Sequence, residues 1–196
     1  MEFQDVVRHR RMVRDFTDEP VSESIVERIL SNALRGPSAG FTQGTELMVF
    51  HGSRETAQFW SIVSPDRGFE RAGWPGIYRA PVVIVPLANK GAYLDRYAES
   101  DKGWIDRDAA RWPVPFWHVD AAFATMLMLL TVVDARLGAL FFGVRDHDAF
   151  RLGFNIPTEY VPIGAIAIGY PGVDRPSRSL ARGRRLNESI IHRAIW

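Results

Sequence analysis

Apolar positions along the chain follow two rhythms, one helical and one extended. Phe3, Val6 and Val7 fall at i, i+3 and i+4, which predicts a short amphipathic helix over residues 2 to 11. Ile25, Val26, Ile29, Leu30, Ala33 and Leu34 trace one face of a second helix. Ser22 or Ser24 offers its N-cap, and Gly36-Pro37 stops it. After the loop Gly36 to Gly44, the run Leu47-Met48-Val49-Phe50 predicts a strand, and residues 54 to 62 a helix. Pro81-Val82-Val83-Ile84-Val85-Pro86 predicts a short, wholly apolar strand between proline stops.

Residues 88 to 116 mix aromatic, charged and proline residues without a sustained period, which predicts a partly helical surface excursion. The stretch from 118 to 135 is apolar on every side of a helix and predicts burial in a core or between subunits. Gly138 then leads into a strand at 139 to 144, residues 146 to 153 form a short helix, and Val161 to Ile168 a core strand. An arginine-rich tail follows. Helices and strands are interspersed without strict βαβ alternation, so the predicted class is α+β.

Length changes the picture little: 196 residues fit one domain, spanning 1–196, with the excursion at about 88–116. Charge changes it more. The formal net charge is +1, so no whole-molecule field draws in nucleic acid or an acidic membrane, and neither is an expected partner. The apolar run at 119 to 133 contains Asp120 and is short for a membrane span. No cysteine is present, which excludes disulfides, thiolate metal sites and a cysteine nucleophile. The charged start, Met1-Glu2-Phe3-Gln4-Asp5, lacks the apolar core of a secretory signal, so the expected location is cytoplasmic.

Two arginine clusters are the candidate chemistry. Arg10-Arg11-Met12-Val13-Arg14 closes the first helix, and Arg182-Gly183-Arg184-Arg185 stands near the other end. Guanidinium groups are planar, permanently charged forks suited to phosphate oxygens, and a fold that joins the two clusters makes a phosphate site. Solvated basic faces are the alternative. No P-loop and no Gly-x-Gly-x-x-Gly fingerprint is present, and the five histidines include no pair at helical ligand spacing, so no metal site is expected. His118 and Asp120 sit two apart on a helix and do not face each other. Ser38 lacks a nucleophile-elbow context. With no nucleophile and no metal, the chemistry points to a bound cofactor.

In this order, these segments resemble the nitroreductase family. Arg10-Arg11-Met12-Val13-Arg14-Asp15-Phe16 is similar to the family's opening Arg-Arg-Ser-x-Arg-x-Phe. Ala33 to Ala39 resembles its Ala-x-x-Ala-Pro-Ser-Ala segment, and Gln43 matches a glutamine a few residues on. Leu137 to Gly143 is similar to the Leu-Gly stretch that feeds a strand beside the flavin. Pro162 to Pro171 looks like the final strand, and Arg182-Gly183-Arg184 lies where the family carries a basic pair.

The resemblance implies a central, mostly antiparallel sheet flanked by helices in an entwined homodimer. It implies FMN as cofactor and NAD(P)H, as NADH or NADPH, as reductant. NAD(P)H would reduce the flavin at N5, and the flavin a nitroaromatic, quinone or similar small electron-poor acceptor, in ping-pong order. Arg10 and Arg11 would contact the phosphate, ribityl or pyrimidine end, with Met12 beside them; Arg14 would reach the isoalloxazine or ribityl oxygens, and Arg182 and Arg184 would hold the phosphate. Pro37, Ser38, Ala39 and Gln43 would come from the second subunit. Backbone groups of Phe141, Phe142 and Gly143 would face the reactive edge. No side chain would act as a catalytic acid or base, the chemistry being borne by the flavin. Three positions depart from the family pattern: Met12 for serine, Phe41 for asparagine, and Gly44-Thr45 for Pro-Trp. Phe41 becomes the candidate substrate-pocket residue, the alternative being that it packs into the subunit interface beneath the loop. The same cradle also accommodates a specialised enzyme of dehydrogenation, dehalogenation or flavin breakdown, or a non-catalytic flavin-storage protein.

Overall fold

The computed structural model describes residues 1–196. Its elements run α1 (Phe3–His9), α2 (Glu23–Ala33), β1 (Thr45–His51), α3 (Ser53–Val63), α4 (Gly68–Arg71), β2 (Val82–Asn89), α5 (Lys90–Ala98), α6 (Phe116–Asp134), β3 (Gly138–Phe142), α7 (His147–Phe154), β4 (Tyr160–Pro162) and β5 (Ala165–Gly169). Every strand pairing is antiparallel, in the order β1-β2-β5-β3, with β4 beside the far end of β2. The class is α+β, as the pattern predicts.

Strand alternation builds a core on each face of the sheet. Val82, Ile84, Ile166 and Ile168 face α2 and α6. Val83, Val85, Ala165 and Ala167 face an aromatic layer of Phe50, Phe59, Trp60, Phe142 and Phe150. On β5 the large residues meet helices and the alanines meet rings, so the two layers fill by size.

Three details differ from the sequence expectation. Pro86 lies inside β2 rather than ending it. Pairing with β5 covers Val82 to Ile84 and pairing with β4 begins at Leu87, so the missing proline N–H falls between partners. The strand expected at 161 to 168 is two strands, broken at Gly164 (φ 151°), where any Cβ would collide with the Phe141 ring and the Phe142 carbonyl. Ser22 occupies the N-cap position of α2 without a capping bond; its hydroxyl lies 3.1 Å from that of Ser24.

Helix α6 is long and apolar enough to cross a membrane, yet half of it is buried against α2 and the sheet. It is not buried all round: Phe123 and Met126 stay exposed on the single chain.

Candidate functional site

The segment after α1 is stitched to the middle and the end of the chain. Met12 bridges Ala139 of β3 in parallel, and the Val13 N–H donates to the Ala139 carbonyl at 2.9 Å. Phe16 pairs with Pro171, and the Gly172 N–H donates to the Asp15 carbonyl at 2.9 Å. This brings the two arginine clusters together. Arg10, Arg11, Arg14, Arg175 and Arg184 border one cleft of about 460 Å³, with Ser177 and Ser179. Its one carboxylate, Asp174, accepts from the backbone N–H groups of Arg14 (3.2 Å) and Arg175 (2.9 Å). None of these five arginines enters an ion pair; the molecule's carboxylates pair elsewhere, as Asp15 does with Arg79 and Asp101 with Arg96.

Arg182 ends a 3₁₀ turn (Arg178–Arg182) and does not line the cleft; Gly183, at φ 68°, separates it from Arg184. Met12, standing for the family's serine, lines the cleft and turns its sulfur to the Phe141 N–H at 3.5 Å.

A second cavity of about 380 Å³ lies along β3. Leu140, Phe141, Phe142, Phe69 and Trp74 give it an apolar wall, and Arg14 borders it as well as the cleft. The Arg14 guanidinium lies 5.4 Å from the Trp74 ring centroid, and that of Arg175 lies 4.4 Å from it, an arrangement that fixes both cations. Gly143 has nothing within 4 Å of an added Cβ, so its backbone is open to a ligand.

Pro37, Ser38 and Gln43 stand elsewhere, around a smaller cavity of about 200 Å³ beneath which Asp120 is buried. The Asp120 carboxylate accepts from the Ala39 N–H at 2.8 Å and the Tyr93 hydroxyl at 2.7 Å. Burial, and then the Asp120 acceptor, push the Tyr93 phenol well above its usual range, so it is a hydrogen-bond donor at all ordinary pH. Phe41 is 77% exposed. In one chain, therefore, the expected site residues form two groups, the arginine cleft with the β3 cavity, and the 37–43 loop.

The Nitroreductase family profile matches residues 7–170. The chain belongs to this family. A protein of Methanothermobacter thermautotrophicus that carries the provisional name NADH dehydrogenase/NAD(P)H nitroreductase is 26% identical over 200 residues, covering 100% of this chain and 88% of the relative. A nitroreductase family protein from Streptococcus pneumoniae superposes with a TM-score of 0.73 at 17% identity, over 98% of this chain and all of the other. A Desulfovibrio desulfuricans protein, provisionally described as a nitroreductase and solved in complex with FMN, gives 0.70 at 21% identity, over 100% and 98% of the two chains.

Within this nitroreductase fold, the pattern of residues missed Arg175, Trp74, Tyr93 and Asp120. Arg175 carried a signal, as one more arginine in a basic tail. Trp74 and Tyr93 carried none, because each works through a neighbour distant in sequence.

Proposed function

We propose that the chain is an FMN-dependent NAD(P)H oxidoreductase of the nitroreductase type, a cytoplasmic homodimer acting on small electron-poor acceptors. The observation that carries this reading is the position of Arg14, which borders both the arginine cleft and the β3 cavity. One guanidinium thus joins an arginine-lined cleft suited to phosphate to a cavity with an aromatic wall, and FMN has a phosphate at one end and a planar ring at the other. The donor set fits that ligand: unpaired arginines with two hydroxyls in the cleft, aromatic walls and open backbone in the cavity. The name of the archaeal relative and the FMN of the Desulfovibrio structure support it.

FMN when bound supplies hydride uptake at N5 from NAD(P)H and then reduction of a nitroaromatic, quinone or similar acceptor, in ping-pong order. The chain's own part is binding and orientation. Arg10, Arg11 and Arg184 hold a phosphate without needing to titrate, because guanidinium is charged at any ordinary pH. Arg14, which borders both spaces, would place a fixed positive charge beside the ring of a bound FMN. Backbone groups at Phe141, Phe142 and Gly143 would face the reactive edge, and Trp74 with Phe69 would pack against the ring.

The homodimer rests on surface left uncovered. Val119, Phe123, Met126 and Leu130 form one stripe of α6, with Phe123 44% and Met126 47% exposed. The separation of Pro37, Ser38, Ala39 and Gln43 from the arginine cleft is what a site shared between two subunits requires.

The deciding experiment is a visible spectrum of purified protein, followed by NADH or NADPH oxidation with menadione or a nitrofuran. Yellow protein that releases FMN rather than FAD, and turns over, is expected. Colourless protein that fails to take up added FMN overturns the reading. Bound flavin that neither nicotinamide reduces assigns the protein to storage instead.

A further inference from the structure

The loop Ser38 to Gly44 holds an unusual backbone. Phe41 and Gln43 have φ 55° and Gly40 has φ 62°, three left-handed residues within four positions, two of them bearing side chains. Non-glycine residues remain in that region only where their surroundings over-determine them. Here the surroundings are the excursion and the start of α6. The Ala39 N–H donates to Asp120 at 2.8 Å, and Arg96 Nε donates to the Gly40 carbonyl at 2.9 Å. The Asn89 N–H donates to the Gly44 carbonyl at 3.0 Å. Two close approaches seat the loop on rings: a Cβ at Gly40 would lie 2.7 Å from the Tyr97 ring, and one at Gly44 would lie 2.5 Å from the Tyr93 ring.

Those rings belong to a separate aromatic cluster. Tyr97 packs on Trp112 (4.4 Å between centroids) and Trp104 (5.0 Å), and Tyr93 on Trp112 (6.0 Å) and Trp117 (6.3 Å). Tyr93 is fully buried and Asp120 is 5% exposed. Asp120 Oδ2 takes both the Tyr93 hydroxyl and the Ala39 N–H, so a single atom ties the excursion, α6 and the loop.

We propose that Tyr93 and Asp120 form a latch that makes the 38–44 loop and the aromatic excursion one rigid unit, with Tyr93 and Asp120 as positioning residues for the loop that carries Phe41. Through it, the excursion governs acceptor choice, because a displaced excursion displaces Phe41. The second half of this inference rests on the function proposed above; the first half, the rigid coupling, does not.

The test is amide hydrogen exchange on the purified protein with whatever cofactor it carries, comparing wild type with Tyr93→Phe, Asp120→Ala and Asp120→Asn. Tyr93→Phe keeps the ring and removes the donor. Exchange across residues 39 to 44 is expected to quicken at least tenfold in Tyr93→Phe and Asp120→Ala, with the β2 and β5 amides unchanged. Asp120→Asn keeps an acceptor oxygen and should restore most of the protection. Gly40→Ala forces the same separation from the Tyr97 side and should quicken the same amides, which serves if Tyr93→Phe does not fold. Unchanged exchange in the loop, or a uniform rise over the whole chain, overturns the latch.

Kinetics then read the second half. Measured at saturating FMN, Tyr93→Phe should raise KM for bulky acceptors severalfold, more than for small quinones. Quickened exchange with KM unmoved for every acceptor overturns the influence on acceptor choice. Wild type that never binds FMN overturns the function and leaves the exchange result standing.

Discussion

Arg182 and Arg184 are two residues apart, and only Arg184 borders the cleft. Their roles separate accordingly. Arg184→Ala is expected to weaken FMN binding by about 1.5–3 kcal/mol, the scale of a charge-assisted contact. Arg182→Ala should cost less than about 0.5 kcal/mol, as expected of an exposed side chain away from the ligand. Fluorescence titration of flavin into apoprotein measures both, and equal losses would put the phosphate elsewhere. Phe41 is the other informative residue. Exposed and fixed in a left-handed conformation, it offers steric bulk with no charge or proton. Phe41→Ala should change kcat/KM for bulky acceptors and leave FMN affinity intact; loss of dimer stability for all acceptors alike would make it an interface residue. Arginine chemistry was legible in the sequence because guanidinium groups in a row advertise themselves. Asp120 was not, since a lone carboxylate on an apolar helix says nothing until Tyr93 and Ala39 are seen around it.

At the scale of elements, helix periodicity and apolar strand runs carried through well. Contacts between strands decided the rest. Pro86 reads as a stop until the change of partners along β2 is known, and Gly164 reads as mid-strand until the Phe141 ring stands against it. The excursion carries a pH signature of its own. The Arg96 guanidinium beside Asp101 holds that carboxyl below its ordinary value near 3.8, and the same Arg96 grips the Gly40 carbonyl. A lowered carboxylate means that the unfolded chain takes up the proton first, so the contribution is complete above 3.8 and lost as pH falls through the lower folded value. Partial desolvation lowers His118, whose side chain still reaches solvent, from its ordinary 6.5, so a small penalty develops as pH falls below 6.5 toward the lower folded value. Urea melts against pH should therefore decline in two stages. His118→Gln should flatten the first with little change above pH 7, whereas Asp101→Asn should lower stability slightly at pH 7 and shrink the second stage, which Asp66 and Asp134 share.

The whole molecule leaves apolar surface uncovered on α6 while its own loop and cleft stand apart. Sedimentation should find a dimer. Phe123→Glu with Met126→Glu should shift it toward monomer and release flavin together with the partner, because introduced charges cannot be buried unpaired. A wild-type monomer that retains flavin would contradict the shared site. The sequence shows this helix as apolar all round but not which side meets solvent, because that depends on where the sheet and α2 lie.

Arg10 and Arg184 are separated by almost the whole chain and meet at one cleft, through the pairing of Phe16 with Pro171. Arg10 therefore leaves the ribosome long before Arg184, and the cleft can close only after both are made. A chain truncated after residue 172 would retain all five strands yet lack Arg175 and Arg184. If FMN binds in this cleft, a chain cut there is expected to hold it far more weakly than one that reaches Arg184, which a flavin titration of the two lengths would read.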